Sequence, residues 1–456
     1  MNAPTSPASP RPDFAQVPDL APFRARRERL LARMQAAGGG VAVLPTAPER
    51  IRNRDAHYLY RHDSYFYYLT AFREPEAVVV LVAGEQPQQI LFCREKNEER
   101  EIWDGYRYGP DAACEVFGFD EAWTIGDLEK RLPDYLADQP LVWASLGYDS
   151  AWDATVLDAL NSVRGKARSG IVPPHSIRDL RAELDEMRLV KDAAELATMR
   201  HAAQISAAAH CRAMRATRPG RFEYEIEAEL LHAFRSAGSQ APAYTSIVAG
   251  GANACVLHYI DNDHLLRDGD LLLIDAGCEL DGYASDITRT FPVNGRFSTA
   301  QREVYETVLA AQHAAREATR PGAHWNAPHE AAVKVLAQGM IDLGLLQGSL
   351  DGVIESNAYS RFYMHRTGHW LGMDVHDAGE YKLGGEWRPL AEGMVLTIEP
   401  GCYIRPADDV PEHLWNIGIR IEDDAVVTAD GCELITADAP KTVADIEALM
   451  REARDG

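Results

Sequence analysis

The stretch LLIDAGCELDGYASDITRTFPVNGRFS, residues 272–298, sets the architecture of the second half of the chain. Its apolar runs flank a polar segment, which predicts an antiparallel hairpin that carries Asp275 and Asp286. A turn at residues 280–281 would place the two aspartates directly opposite each other, whereas a turn at 281–282 would make them diagonal neighbours on one face. Either register leaves their β-carbons within about 4.5–8 Å, close enough to share a metal or flank two.

The phrase IGIRIEDD places a second acid on a strand. Ile417, Ile419 and Ile421 alternate toward one face, so Arg420 and Glu422 point to the other. Arg420 is then placed to hold ligand carboxylates by hydrogen bonds from behind the site. If this segment is considered by itself, the alternative to a metal site is an ordinary salt bridge between an arginine and a glutamate on the protein surface.

A histidine-rich segment, HRTGHWLGMDVHDAG at 365–379, carries His365, His369 and His376. The first two have the i,i+4 spacing of a helical zinc pair, but no HExxH motif is present. The glycines between them favour a loop or a bulged strand over a helix. His258 in CVLHYIDN adds a fourth histidine at the end of a strand-like run.

Four carboxylates and one imidazole from these phrases predict a metal site. Glu399 completes the set, since it ends the strand-like LTI of LTIEPG and shares a face with Thr397. Buried acids are costly unless positive charge lies among them, and two divalent cations would balance four carboxylates. An oxygen-rich set suits manganese, cobalt or magnesium better than thiolate-type zinc. Two ions about 3.5–4 Å apart can hold a bridging hydroxide and polarise a carbonyl, which is hydrolytic chemistry. The predicted ligands are Asp275, Asp286, His369, Glu399 and Glu422.

The bulk composition is that of a large, acidic globular protein. With 456 residues the chain is too long for one ordinary core, and its net charge of −23 argues against a nucleic-acid partner. Seven scattered cysteines without a CxxC motif predict reduced thiols and a cytoplasmic location. No apolar run reaches the roughly 18 residues of a membrane span, and the Pro- and Ser-rich start lacks the apolar core of a signal peptide.

The organisation along the chain predicts two folded domains after a disordered tail at 1–21. Alternating strands and helices, with YFYYLTAF at 65–72 interpreted as a strand, predict an α/β domain at 22–180. Residues 184–216 lack helix breakers and predict one long helix just after the domain boundary. Long helices and short strands then predict an α+β domain at 181–456.

Taken together, the motifs resemble a known family, the pita-bread metallopeptidases, and within it aminopeptidase P. The resemblance covers roughly residues 22–445 and includes an α/β domain typical of creatinase-like proteins before the catalytic pita-bread domain. The phrases that carry it occur in the family's order and spacing. They are SYFYYLTAFREPEAVVVL, EIWDGYRYGPDAA, IVAGGANACVLHY, the 272–298 stretch, HRTGHWLGMDVHDAG, GMVLTIEPGCYI and NIGIRIEDD.

The resemblance implies a role for each site residue. Asp286 and Glu422 would bridge two ions, while Asp275 holds one ion and His369 and Glu399 the other; the expected ions are Mn²⁺, with Co²⁺ or Zn²⁺ as alternatives. Glu399 would also shuttle the proton of the bridging water. His376 would support the tetrahedral intermediate, and His258 and His365 would form a pocket for the proline. Tyr244 and Arg420 would contact the metal ligands from behind or lie on the substrate side.

The implied activity is removal of the N-terminal residue from peptides with proline in second position. The implied assembly is a homodimer or homotetramer, in which Trp103 of a neighbouring first domain approaches the active site. A prolidase restricted to X-Pro dipeptides, a methionine aminopeptidase and a non-catalytic pita-bread binding protein are the alternatives. No membrane partner is expected.

Overall fold

A computed structural model describes residues 17–455 and divides into two compact units, Met1–Leu184 and Asp185–Gly456. Most of the predicted tail, residues 1–16, lies outside the described residues. Within the described range, no helix is both long enough and apolar enough to cross a bilayer.

The first unit is an α/β domain, as predicted. Its six-stranded mixed sheet has the order β6-β5-β4-β1-β7-β8, and β1 runs antiparallel to β4 but parallel to β7. Apolar side chains of the central strands pack against α5 and α6 to form its core. The strands are β1 (Val41–Pro45), β2 (Ile51–Asn53), β3 (Ala56–His57), β4 (Val78–Val82), β5 (Gln88–Cys93), β6 (Glu121–Thr124), β7 (Leu141–Trp143) and β8 (Ser176–Arg178). The helices are α1 (Ala21–Ala36), α2 (Ser64–Thr70), α3 (Glu98–Asp104), α4 (Gly109–Phe117), α5 (Leu128–Leu136) and α6 (Ser150–Gly165).

The strand interpretation of residues 65–72 is wrong, because this segment forms helix α2. The Asp63 side chain accepts a hydrogen bond of 2.9 Å from the Phe66 amide and so caps the helix start. Ala71, with φ of 58°, ends the helix in the left-handed conformation. Nearly every residue of α2 is buried, and a helix buried on all sides has no apolar periodicity that would distinguish it from a strand.

The second unit is α+β, with several small antiparallel sheets and long helices. Helix α7 (Leu180–Leu189) leads the chain into it. The other helices are α8 (Ala193–Ala216), α9 (Glu223–Ser236), α10 (Thr299–Ala318), α11 (Ala327–Asp342), α12 (Leu350–Glu355) and α13 (Val443–Asp455). The strands are β9 (Ala241–Pro242), β10 (Ile247–Gly250), β11 (Leu271–Asp275), β12 (Cys278–Leu280), β13 (Tyr283–Ala284), β14 (Thr288–Pro292), β15 (Lys382–Leu383), β16 (Glu386–Trp387), β17 (Val395–Ile398), β18 (Gly401–Ile404), β19 (Ile417–Arg420), β20 (Asp423–Val427) and β21 (Cys432–Leu434).

The long helix predicted at 184–216 is two helices, α7 and α8, separated at residues 190–192. The Lys191 amide donates to the Gly393 carbonyl at 2.9 Å, so tertiary pairing replaces the helical hydrogen bond there. Asp192 then starts α8 with a capping box that includes Glu195. Charged residues with high helix propensity hid this break from the sequence pattern.

The hairpin at 272–298 adopts the second of the two predicted registers. Leu280 pairs with Tyr283, and Asp275 pairs with Thr288, so Asp286 is the diagonal neighbour of Asp275. The turn falls on residues 281–282, both with positive φ. Gly277 permits the close approach of the two strands, since a β-carbon there would lie 1.6 Å from the Ser285 carbonyl oxygen.

The alternation predicted for IGIRIEDD is confirmed. Ile417, Ile419 and Ile421 lie in the main core of the second unit with side chains of α8 to α11. Arg420 and Glu422, on the opposite face, are also buried but contact polar groups. The sheet thereby presents one apolar face to the helices and one charged face to a cavity.

Candidate metal centre and active site

Three of the five predicted ligands form a compact group. Asp286, His369 and Glu422 each offer an atom within 4.8 Å of the others. His369 Nε2 lies 3.4 Å from Asp286 Oδ2 and 3.6 Å from Glu399 Oε1, which brings a fourth predicted ligand to the same place. Residues far apart in sequence thus converge on one point.

Asp275 joins this group through Tyr244. The Tyr244 hydroxyl oxygen lies 2.6 Å from Asp275 Oδ1 and 2.5 Å from Asp286 Oδ1. Because a hydroxyl carries one hydrogen, it donates to one carboxylate at a time and leaves the Oδ1 atom of the other without that hydrogen bond. Burial, followed by the charges of Asp275 and Asp286, raises the pKa of Tyr244 well above its usual value, so the hydroxyl stays protonated.

Arg420 holds two of the acids from behind. Its Nη2 donates to Asp275 Oδ2 at 2.6 Å, and its Nε donates to Thr288 Oγ1 at 3.0 Å. Thr288 in turn donates to Glu422 Oε2 at 2.7 Å. One buried guanidinium therefore orients Asp275 directly and Glu422 through a hydroxyl, in the position predicted from strand alternation.

The segment that carries His369 runs as an extended chain beside β17 and is not a helix, as predicted. The Thr397 amide donates to the His369 carbonyl at 3.0 Å, and the Glu399 amide donates to the Thr367 carbonyl at 2.8 Å. Gly368 makes this approach possible, because a β-carbon there would lie 2.1 Å from the Thr397 carbonyl oxygen. The pairing sets His369 beside Glu399.

The imidazole of His369 is oriented for binding through one nitrogen. Its Nδ1 donates to the Trp370 carbonyl at 2.9 Å, which leaves Nε2 facing Asp286 and Glu399. Although burial opposes its charged form, hydrogen bonding to Asp286 raises the pKa of His369 to about 9. In this structure the imidazole supplies positive charge that the acids otherwise lack.

Three of the four acids, Asp275, Glu399 and Glu422, have raised pKa values, chiefly because they are removed from solvent. Burial raises the pKa of Glu399 to about 7, and burial with the neighbouring Asp286 and Glu399 carboxylates raises that of Glu422 well above its usual value. The pKa of Asp275 is also raised by burial, against the opposing effect of Arg420. Four carboxylates beside one guanidinium and one imidazole fit divalent cations, which supply the missing charge to hard oxygen ligands.

The acids open into a cavity of about 750 Å³ within the second unit. His258 and His376 are exposed and His365 is half-buried, and all three line this cavity together with the five predicted ligands, Tyr244 and Arg420. The His376 ring lies edge-on to that of His369, with 4.3 Å between centroids. Apolar and aromatic side chains form the rest of the wall. They are Ile247, Leu257, Ile260, Trp325, Val375, Tyr381 and Trp387.

Tyr403 is a site residue that the sequence interpretation missed. Its hydroxyl accepts a hydrogen bond from Arg420 Nη1 at 3.0 Å and lies 2.8 Å from His365 Nε2. His365 Nδ1 donates to the Arg366 carbonyl at 2.8 Å, so Nε2 is the nitrogen that accepts from Tyr403. Burial lowers the pKa of His365 to about 3, and the ring is neutral. A directional chain of hydrogen bonds thus joins the metal-ligand side of the cavity to its histidine side.

Trp103 belongs to the first unit. It lies near the end of the short helix α3, and 81% of its surface is exposed. Ile102 and Tyr106 beside it are also strongly exposed.

Family models match most of the chain. Residues 197–429 match the model described as metallopeptidase family M24, and residues 23–143 match the aminopeptidase P N-terminal domain. The chain belongs to metallopeptidase family M24. Its two matched regions correspond to the α/β unit and the pita-bread unit, which confirms the fold class expected from sequence.

Curated relatives and solved structures agree with this membership. This M24 chain is 44% identical over 434 residues to Xaa-Pro aminopeptidase of Escherichia coli, covering 95% of this chain and 98% of the relative. It is 33% identical to human Xaa-Pro aminopeptidase 3, covering 98% and 88%. Aminopeptidase PepP of Pseudomonas aeruginosa has a similar structure, with a TM-score of 0.94, 52% identity and coverage of 96% and 99%.

These matches confirm the resemblance to aminopeptidase P and the expectation of a metalloaminopeptidase, which is a hydrolase. A structure of zinc-substituted E. coli aminopeptidase P in complex with product, 44% identical with a TM-score of 0.93, is among the similar structures. Divalent-metal use by this M24 chain is consistent with that neighbour and with its own cluster of acids.

Proposed function

We propose that this chain removes the N-terminal residue from peptides whose second residue is proline. The observation that carries the proposal is one cavity lined by the five predicted metal ligands and three histidines. The relatives named Xaa-Pro aminopeptidase support it, since they match nearly the whole chain. An X-Pro amide lacks an N–H and carries a constrained ring, so a site that cleaves it cannot depend on that hydrogen.

Asp275, Asp286, His369, Glu399 and Glu422 would hold two divalent ions, of which Mn²⁺ suits the oxygen-rich set best. Such ions would supply a water nucleophile at neutral pH and polarise the scissile carbonyl. Arg420 and Tyr244 keep these side chains in place through the hydrogen bonds described above.

Glu399 is proposed to move the proton. Its carboxylate accepts a hydrogen bond from Thr397 Oγ1 at 3.3 Å and lies next to the cavity, where it can take a proton from water and return it to the proline nitrogen. His376 would support the tetrahedral intermediate, because its ring lies beside His369 at the cavity wall. His258 and His365 would enclose the proline.

Self-association and location are further parts of the proposal. The exposed apolar side chains of Ile102, Trp103 and Tyr106 support a homodimer or homotetramer in which Trp103 serves a neighbouring site. All seven cysteines are free in the structure, and the cytoplasmic location rests on their scattered pattern.

A peptide panel tests the proposed function. Manganese-loaded enzyme is assayed on Ala-Pro, Ala-Pro-Ala and Ala-Ala-Ala, with elemental analysis of the same preparation. We expect cleavage of the proline tripeptide, little cleavage of Ala-Ala-Ala, and about two ions per chain. Activity confined to Ala-Pro would identify a prolidase, whereas no activity and no retained metal would favour a binding protein.

A further inference from the structure

Two cations surround Trp387, an aromatic ring of the cavity wall, and one of them, the exposed Arg366, marks the mouth of the cavity. Arg366 lines the cavity and is exposed, and its guanidinium carbon lies 5.5 Å from the centroid of the Trp387 ring. Lys382 Nζ lies 4.4 Å from the same centroid. We refer to Arg366, Lys382 and Trp387 as the cationic rim.

Local structure holds the rim in place. Lys382 and Trp387 pair across the β15–β16 hairpin, whose turn is formed by Gly384 and Gly385 with positive φ. Arg366 Nη1 donates to Asn326 Oδ1 at 2.8 Å, which fixes one side of the guanidinium. The hydrogen bond does not use Nε or Nη2. The cation–π contact with Trp387 adds a second restraint. An arginine restrained in this way loses little side-chain entropy when it binds an anion.

Within residues 17–455, neither Arg366 nor Lys382 forms an ion pair with a carboxylate. By contrast, the nearby exposed Arg361 pairs with Asp409 at 2.6 Å. Arg366 and Lys382 therefore place positive charge at one side of a cavity that also holds four acids, and such a separation of charge favours one orientation of a charged substrate.

We propose that the cationic rim binds the carboxylate of the leaving peptide and so makes free-acid tripeptides of the form Xaa-Pro-Xaa preferred substrates. This inference rests on the proposed function, because it assumes that the free amine and the scissile bond lie at the acids and the proline among the histidines. The third residue then extends toward the mouth, and its carboxylate meets Arg366. The carboxylate of a dipeptide would fall one residue short, about 3.5 Å deeper.

Matched tripeptides that differ only in charge test the proposal. Ala-Pro-Ala and its C-terminal amide are compared by kcat/KM with the wild type, Arg366→Gln, Lys382→Gln and, as a control, Arg361→Gln. We expect the wild type to prefer the free acid about tenfold, and Arg366→Gln to remove this preference while changing kcat/KM for the amide less than about twofold. Lys382→Gln should reduce the preference by a smaller factor, because that ammonium is more solvated.

If Arg366→Gln lowers activity equally on the free acid and on the amide, Arg366 only shapes the loop and the proposal is overturned. An unchanged preference of Arg366→Gln for the free acid would also overturn it. Arg361→Gln should behave as wild type on both peptides. Calorimetric measurement of the binding of Pro-Ala and Pro-Ala-amide to the same proteins separates a failure of the proposed peptidase function from a failure of the proposal about the cationic rim. If the wild type cleaves neither tripeptide, the proposed function fails, and a charge preference in binding that Arg366→Gln abolishes would still support the rim.

Discussion

At the scale of single residues, the site depends on hydroxyl groups that connect ionisable side chains. Thr288 joins Arg420 to Glu422, Tyr403 joins Arg420 to His365, and the Tyr244 oxygen lies between two aspartates. The Thr288 and Tyr403 hydroxyls each donate in one direction and accept in another, which orients side chains that their rotamers alone would leave free.

Asp286→Ala should abolish turnover while the chain still folds. Asp286 lies between Tyr244 and His369 at the centre of the acids, so its loss removes a ligand that both ions are proposed to share. We expect kcat to fall by more than about a hundredfold and metal content to drop. Circular dichroism and elemental analysis accompany the assay, with Glu433→Gln, an exposed acid paired with Arg200, as the control. Near-normal activity would refute the ligand assignment.

Tyr403→Phe should lower kcat/KM by about tenfold, because Arg420 and His365 lose the oxygen that connects them. The phenyl ring preserves the packing of a buried side chain, so the unfolding midpoint should change much less than activity. Parallel measurements of kcat/KM and of urea unfolding check this. A large loss of stability with normal kcat/KM would assign the hydroxyl a purely structural role.

At the scale of elements, the histidine segment is aligned with β17 by a close backbone contact that requires Gly368.

A second restraint on this segment is a group of buried ion pairs around Asp377, the residue directly after His376. Asp377 lies 2.5 Å from Arg188 Nη2 and 2.8 Å from Lys191 Nζ, and these three side chains are almost fully buried. The start of the second unit therefore anchors the loop that presents His376 to the cavity.

Gly368→Ala should disrupt the alignment of His369 with Glu399, since its β-carbon would lie 2.1 Å from the Thr397 carbonyl oxygen. Overpacking against backbone should cost about 2 kcal/mol in the free energy of unfolding and reduce activity strongly. Gly431→Ala is the matched control, because the methyl group that it adds would have no other atom within 4 Å. Equal stability of the two variants in urea would contradict the proposed close approach.

At the scale of the whole molecule, stability depends on pH through a fully buried histidine that does not line the cavity. His210 on α8 is fully buried, and its Nε2 lies 2.9 Å from the Ala276 carbonyl oxygen, to which it donates. Burial lowers the pKa of His210 from 6.5 to about 4. The unfolded chain therefore takes up a proton below pH 6.5, whereas the folded chain does so only near pH 4.

The stability contributed by neutral His210 is complete above pH 6.5 and is lost as the pH falls from 6.5 to 4. Between pH 7 and pH 5 this single group should lower the free energy of unfolding by about 2 kcal/mol. Urea unfolding with a chelator present should show that His210→Gln has the shallower pH dependence. His201→Gln, an exposed position on the same helix, should keep the wild-type slope. Parallel slopes for all three proteins would contradict the assignment.

Much of the site could be predicted because each of its residues lies in a short motif whose strand or loop character is local in sequence. Strand alternation placed Arg420 opposite the core isoleucines, and the hairpin pattern restricted Asp275 and Asp286 to one face. Helix α2 could not be predicted, since complete burial removes its periodicity. The break between α7 and α8 was equally hidden, because the pairing of Lys191 with Gly393 is long-range.

The sequence by itself determined the acids, the histidines, the strand faces and the family to which the chain belongs. Only the tertiary structure decided the hairpin register, the Arg420–Tyr403–His365 connection and the placement of Arg366 beside Trp387. The physical reason is that periodicity sets which face a side chain takes, whereas hydrogen bonds and close backbone contacts between distant segments set what it meets there.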